Sequence, residues 1–224
     1  MIKSDGQSDF FGGVYMKILV WDFNGTIIDD AQLCLDIENE MLKNRGMHYG
    51  YTIEEYRDLF CFPVKDYYRK LGYTFENESY ETISEEFNAR YEEGFPECTL
   101  VQYFEEKIRE AEEKGYRNVI LSASQIDVLK NQCMKLNIYD HFDEILGIDN
   151  IYAGSKIDMA KAWMKERNYD PKDMIYIGDT THDKETADAL GIENCYLAAA
   201  GHQSFNVLNS VSDQAVRSLR EVLL

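Results

Sequence analysis

The chain has 224 residues, 45% hydrophobic and 29% charged, with a formal net charge of −18, the balance of a folded globular protein long enough for one core domain and a modest insertion. The acidic surface disfavours nucleic acid and anionic membrane, so an anionic substrate would need positive charge supplied locally by a metal ion, a lysine or helix N-termini. No stretch is apolar and long enough to span a bilayer, and the odd, scattered cysteines (Cys34, Cys61, Cys98, Cys133, Cys195) lack CxxC spacing, which reads as reduced thiols in a cytoplasmic protein.

Residues 1–15 are polar and Gly-rich and lack the apolar run of a signal peptide. They read as a leader or added segment, with the compact fold starting near Met16. The run KILVWDF (17–23) is a buried parallel strand entering a loop at Asn24-Gly25. Amphipathic helices are predicted around 30–44, 53–60, 64–71 and 79–93, with no strand among them, and Gly94-Phe95-Pro96 closes this section. A helix over 99–114 then stops at Lys114-Gly115, and RNVILS (117–122) is the next strand. The order continues as helix 125–136, strand 142–147, helix 155–167, strand 173–178, helix 182–190 ending at Gly191, strand 194–199 as the last strand, and a helix over 212–223.

Apolar strands alternating with helices imply a parallel sheet covered on both faces. In such sheets ligands bind beyond the carboxyl ends of the strands. The residues at those ends are Asp22 to Thr26 after the first strand, Ser122-Ala123-Ser124 after the second, and Gly178-Asp179-Thr180-Thr181-His182-Asp183 after the strand at 173–178. Lys156 opens a helix after Gly154-Ser155. Each has an ordinary alternative. Ser124 and Asp127 have capping-box spacing, a lone lysine is usually solvated, and Asp183 suits a helix N-terminus. Asp22 is harder to set aside, because a carboxylate ending an apolar strand is poorly solvated.

In order and spacing these segments resemble the four motifs of the haloacid dehalogenase superfamily. Asp22–Thr26 resembles its DxDGT-type loop, Ser122 its second motif, Lys156 its third and GDTTHD (178–183) its GDxxxD loop. The likeness spans about 17–200 and is nearest to the phosphoglycolate-phosphatase-like branch. It implies a Rossmann-like three-layer α/β core with a mainly parallel sheet, formed by 16–28 and 96–224. It also implies a small all-α cap inserted after the first strand, at 29–95. The implied activity is Mg²⁺-dependent hydrolysis of a small phosphorylated metabolite by a monomer or homodimer. Asp22 is the implied nucleophile. Asp22, the Asn24 carbonyl, Asp179 and Asp183 would hold Mg²⁺, an ion that prefers hard oxygen ligands. Gly25, Thr26, Ser122, Ala123 and Lys156 would bind phosphate.

The family pattern has an aspartate at the position of Asn24, where it protonates the leaving group and then activates water. An amide cannot exchange a proton in this range, so acid–base catalysis from here is lost, typically a factor on the order of 10²–10⁴ in rate. Substrates whose leaving groups need no proton, a substitute group or water, an engineered trap, or a weakly active binding relative would each account for it. The competing function is a catalytically impaired phosphate-binding or regulatory protein. Phosphonate cleavage would need a cap lysine such as Lys43, Lys65 or Lys70, and carbon–halogen hydrolysis would leave the acidic 178–183 loop without purpose. Lys65, Arg69 and Lys70 read as a solvated helix face, with contact to an anionic substrate as the alternative. His182 reads as a helix-start residue and His202 as a rim residue.

Overall fold

The computed structural model describes residues 17–148 and 156–224; the leader and the proposed start at Met16, like Gly154-Ser155, lie outside them. In chain order the elements are β1 (Ile18–Trp21), β2 (Ile28–Asp29), α1 (Ala31–Asn44), α2 (Ile53–Leu59), α3 (Val64–Lys70), α4 (Tyr80–Gly94), β3 (Thr99–Leu100), α5 (Phe104–Glu113) and β4 (Arg117–Gln125). They continue as α6 (Ile126–Lys135), β5 (Glu144–Ile148), α7 (Lys156–Arg167), β6 (Met174–Gly178), α8 (Thr181–Leu190), β7 (Asn194–Ala198), α9 (Phe205–Asn209) and β8 (Ala215–Val216).

Among the described residues six strands form one sheet in the order β5-β4-β1-β6-β7-β8, and every pairing there is parallel. β1 is central because all four of its residues are apolar and buried, which suits a strand covered on both faces. Its alternation divides them. Leu19 and Trp21 face a core shared with α5 and α6 through Phe104, Ile108 and Leu129. Ile18 and Val20 face a second core with Trp163 of α7 and Ala187 of α8. The result is the three-layer α/β architecture expected, and truncating Leu19, Ile18, Phe104, Ile108 or Leu129 to alanine would cost about 2–5 kcal/mol.

Helices α1–α4 gather a third apolar cluster of their own, built on Leu35, Met41, Leu42, Tyr56, Tyr67, Tyr68 and Ile83. α2 starts at a Thr52–Glu55 capping box, and Ser79 caps α4 by accepting from the Thr82 amide, both expected N-terminal signals. The chain leaves and re-enters the main sheet through β2 and β3, which pair antiparallel with Ile28 opposite Leu100. Neither two-residue strand was expected, since a period of two cannot be read from two residues. β3 also replaces the start of the helix predicted over 99–114, which begins only at Phe104, after Tyr103 in a left-handed conformation (φ +70).

The tail departs most from expectation. In place of a helix over 212–223 there is β8, followed by a 3₁₀ turn at Leu219–Glu221. The edge of β7 offers free backbone partners, so the Leu197 amide donates to the Gln214 carbonyl and the Ala199 amide to Val216. Sheet pairing overrides a short helical pattern here, and β7 is therefore not the last strand. Among the described residues no helix is long and apolar enough to cross a membrane. All five cysteines are free thiols.

Candidate active site

Because β1 lies between β4 and β6, the residues following all three strands converge. Asp22 leaves β1 with its amide still donating to the Ile177 carbonyl of β6 (2.9 Å). Beyond it the chain turns sharply at Gly25, with φ +72, and any Cβ there would lie 2.2 Å from Asp179 Oδ2 and 2.6 Å from His202 Cδ2. Only glycine fits a left-handed position so crowded. On β4, the register against β5 shifts between Leu121 and Gln125. This break turns the buried Ser122 hydroxyl towards the Ser124 amide, which donates to it at 3.1 Å. β4 runs on to Gln125, whose side chain accepts from the Val128 amide and caps α6. The Ser124–Asp127 capping box expected from spacing is therefore not formed.

Asp22, Asp179 and Asp183 each present a carboxylate oxygen within 4.8 Å of the others. Lys156, at the start of α7 and only 5% exposed, reaches them from the side. Its Nζ contacts Asp22 Oδ1 and donates to Asp183 Oδ1 at 3.0 Å. Asp183 is held from all sides. Its Oδ2 accepts from the Asp179 amide (3.2 Å), the Thr180 amide (3.1 Å) and the Thr180 hydroxyl (2.7 Å). Its Oδ1 accepts from the Tyr176 hydroxyl at 3.0 Å as well as from Lys156. Asp179 Oδ1 accepts from the Thr26 hydroxyl (3.0 Å) and Oδ2 from the His202 amide (2.7 Å).

The titration behaviour follows from burial and neighbours. Burial, then Asp183, pushes the Asp22 carboxyl well up, against the pull of Lys156. Burial also raises Asp179, to about 7, with Asp183 adding to the effect and His202 opposing it. Burial works against the Asp183 anion too, but Lys156 and the Thr180 hydrogen bond hold its pKa below the usual value. Lys156 stays firmly protonated despite burial, because Asp183 and Asp22 flank it. Three carboxylates facing one ammonium leave surplus negative charge, and the oxygen donors are all hard. That donor set fits a small divalent cation of the Mg²⁺ kind.

A second network surrounds Asn24. Its Nδ2 donates to Asp30 Oδ2 (2.7 Å) and to the Tyr91 hydroxyl (2.8 Å), and Tyr91 itself donates to Asp30 Oδ2 at 2.7 Å. Asp30 Oδ1 accepts from the Gly25 amide (2.9 Å) and lies 3.2 Å from His202 Nε2. The other ring nitrogen of His202 meets the Tyr56 hydroxyl at 2.8 Å. Burial would lower the His202 pKa, yet Asp30 beside it raises it to about 9. His202 thus sits deeper than the rim, as an imidazolium ion-paired with a buried carboxylate. Asp30, Tyr56 and Tyr91 were not singled out from the sequence. Asp29-Asp30 before a helix reads as a capping pair, whereas the Asp30 side chain turns inward to the loop.

Two expected phosphate ligands are engaged elsewhere. The Thr26 hydroxyl is fully buried and committed to Asp179. The Gly25 amide is shared between Asp30 Oδ1 and the Ile28 carbonyl. Both build the loop and neither lines the cavity that opens above Asp22. That cavity, of about 570 Å³, is lined on the sheet side by Asp22, Asn24, Ser122, Ala123, Lys156, Asp179 and Asp183, and on the other side by side chains of α1–α4. Among its described lining residues Lys156 is the only lysine. Lys65 lies over the Phe75 and Tyr80 rings, Arg69 pairs with Asp66, Lys70 donates to the Leu59 carbonyl, and Lys43 lies over Tyr49. None of these faces the site, so a Schiff-base lysine from α1–α4 has no candidate here. His182 does line the cavity edge and stacks on Phe62.

The sequence matches the haloacid dehalogenase-like hydrolase family over residues 19–197, which takes in the three strand-end segments and Lys156. The chain belongs to that family. Its fold is similar to a haloacid dehalogenase-like hydrolase from Streptococcus pneumoniae, at 19% identity over 93% of this chain and 97% of that one, with a TM-score of 0.75. It is also similar to a predicted phosphatase from Clostridium acetobutylicum (17% identity, 92% and 96% covered, TM-score 0.74). A third likeness is to a predicted phosphoglycolate phosphatase from Haemophilus somnus 129pt (15% identity, 94% and 98% covered, TM-score 0.69). No curated protein matches the sequence.

Proposed function

We propose that this hydrolase is a Mg²⁺-dependent phosphatase of a small phosphorylated metabolite, working through an aspartyl-phosphate on Asp22. The observation that carries the reading is the meeting of Asp22, Asp179 and Asp183 with a buried Lys156 at the carboxyl edge of one sheet. Asp22, Asp179 and the Asn24 carbonyl would hold the cation directly. Asp183, with both oxygens already engaged, would act on it through water. When bound, the ion offsets the charge of the carboxylates and of an incoming phosphoryl group.

Asp22 attacks phosphorus, forming an Asp–O–P bond as the bond to the leaving oxygen breaks. Water then attacks the same phosphorus, releasing inorganic phosphate and restoring the Asp22 carboxylate. Lys156 neutralises charge on Asp22 and the phosphoryl group, and the Ser122 hydroxyl with the Ala123 amide binds phosphoryl oxygens. Residues 29–95 act as the cap that selects the substrate, with the remaining described residues as the core.

Asn24 supports a restricted version of this chemistry. Its amide supplies two hydrogens to Asp30 and Tyr91, so it is fitted to its surroundings, but it has no proton to give a leaving alkoxide. Turnover is therefore slow on unactivated esters and faster on acyl phosphates or other substrates with acidic leaving groups. The test is a phosphatase panel with and without Mg²⁺ on the parent, Asp22→Asn and Asn24→Asp chains. Activity should need both Mg²⁺ and Asp22. Full turnover in Asp22→Asn would overturn the mechanism. No turnover in the parent and Asn24→Asp alike would favour a phosphate-binding or regulatory protein.

A further inference from the structure

The half of the cavity furnished by the cap has a chemistry of its own. None of the cap residues lining it is a lysine or arginine, whereas Tyr67, Tyr68, Tyr80 and Phe87 bring aromatic rings to it. Among these rings lies Glu38, on α1, only 2% exposed. Among the described residues its Oε2 has no hydrogen-bond partner. Arg45, whose charge acts on Glu38, is committed to Glu78 through two hydrogen bonds and to Glu86 through a third. A buried carboxylate with an unsatisfied oxygen costs several kcal/mol, so burial pushes Glu38 up to about 8, and the group is held largely as the neutral acid near pH 7 until a cation beside it favours its charged form. Tyr68 hydrogen-bonds to the Glu38 carboxyl, which leaves Oε2 as the unsatisfied oxygen. An unsatisfied carboxyl oxygen among aromatic side chains is an arrangement in which an organic cation is bound, by charge on one side and the aromatic quadrupole on the other.

Resting on the phosphatase reading above, we infer that the leaving group of the substrate carries a cationic amine, which is received between Glu38 and the aromatic rings of the cap. An anionic leaving group such as a glycolate would instead meet Glu38 and Glu92 with no cap lysine or arginine among the lining residues. The assignment also fits Asn24. An ammonium close to the leaving oxygen makes that oxygen less basic, which eases its departure where no side chain delivers a proton. A neutral polyol could satisfy Glu38 Oε2 through a hydroxyl but would gain nothing from the rings.

The test compares kcat/KM for phosphocholine and phosphoethanolamine with that for 3,3-dimethylbutyl phosphate, the uncharged carbon isostere of phosphocholine, and with glycerol phosphate and phosphoglycolate. The cationic esters should exceed the isostere by about 10- to 30-fold, the worth of a desolvated cation–π contact. Glu38→Gln should bring that ratio down to about 3-fold or less, and Phe87→Leu, which leaves the charge in place, should lower it part of the way. Binding of choline against 3,3-dimethylbutanol, measured calorimetrically on the parent and Glu38→Gln, reads the same preference without turnover. Preferred binding of choline with no turnover of any ester would sustain the cation site and remove the phosphatase reading. Turnover without cation preference, or with phosphoglycolate or glycerol phosphate preferred, would overturn the cation site and leave the phosphatase reading standing. Equal binding of choline and the alcohol by the parent would likewise overturn it.

Discussion

Asn24→Asp tests the network around the loop after β1 most sharply. The substitution exchanges an amide that donates to Asp30 Oδ2 at 2.7 Å and Tyr91 at 2.8 Å for a carboxyl that donates nothing once ionised. Two unit charges about 3 Å apart at an effective dielectric of about 20 repel by roughly 5 kcal/mol. The His202 imidazolium, 3.2 Å from the other Asp30 oxygen, takes back part of this. The pair therefore retains one proton, and the new carboxyl titrates above its unfolded value. A folded pKa raised above the unfolded one means stability that is present at low pH and lost as pH rises through the folded value. A shift of about two to three units corresponds to about 3–4 kcal/mol. Urea denaturation should thus find variant and parent close at about pH 4 and separated by about that amount at about pH 8. The retained proton also returns a general acid to this position, so turnover of alkyl phosphates should rise, by up to about 10²-fold, below the apparent pKa of the pair. A stability gap that is the same at both pH values would refute the reasoning.

Other substitutions probe the remaining contacts. His202→Gln removes an imidazolium raised to about 9 chiefly by Asp30 against burial. Its stabilising effect is full below the unfolded histidine value and is lost as pH rises through about 9, so thermal melts should show a gap of about 2–3 kcal/mol near pH 6 that closes above pH 9. Gly25→Ala forces a Cβ to within 2.2 Å of Asp179 Oδ2 at φ +72, and chemical denaturation should show a loss of more than about 2 kcal/mol. Lys156→Met strands Asp22 and Asp183 without their shared cation; a loss of about 3–5 kcal/mol near neutral pH, partly recovered in acid, is expected from denaturation curves.

The order of strands and helices in the core up to β7 was legible because β1, β4 and β6 are apolar enough to announce burial on both faces. Asp22 and Asp179 directly follow β1 and β6, and Ser122 ends the apolar run of β4, which continues to Gln125. What stayed hidden depends on partners distant in sequence. β8 forms because the β7 edge is open to it, which no local pattern in 212–223 records. Asp30 meets His202 across more than half the chain, and each alone looks like a capping or loop residue. Thr26 and Gly25 carry the expected motif, yet their polar groups turn to Asp179 and Asp30, because a tight loop must satisfy its own buried donors first. Glu38 reads as one more charge in an amphipathic helix until the packing of α1 against α3 and α4 buries it.

The central claim is that Asp22 carries the phosphoryl group. Incubation of the chain with Mg²⁺ and acetyl phosphate, followed by acid quench, borohydride reduction and peptide mass spectrometry, reads this directly. The account predicts reduction of a single carboxyl in the peptide containing Asp22, dependent on Mg²⁺ and absent from Asp22→Asn. Turnover without any label on Asp22, or an undiminished label in Asp22→Asn, would contradict it.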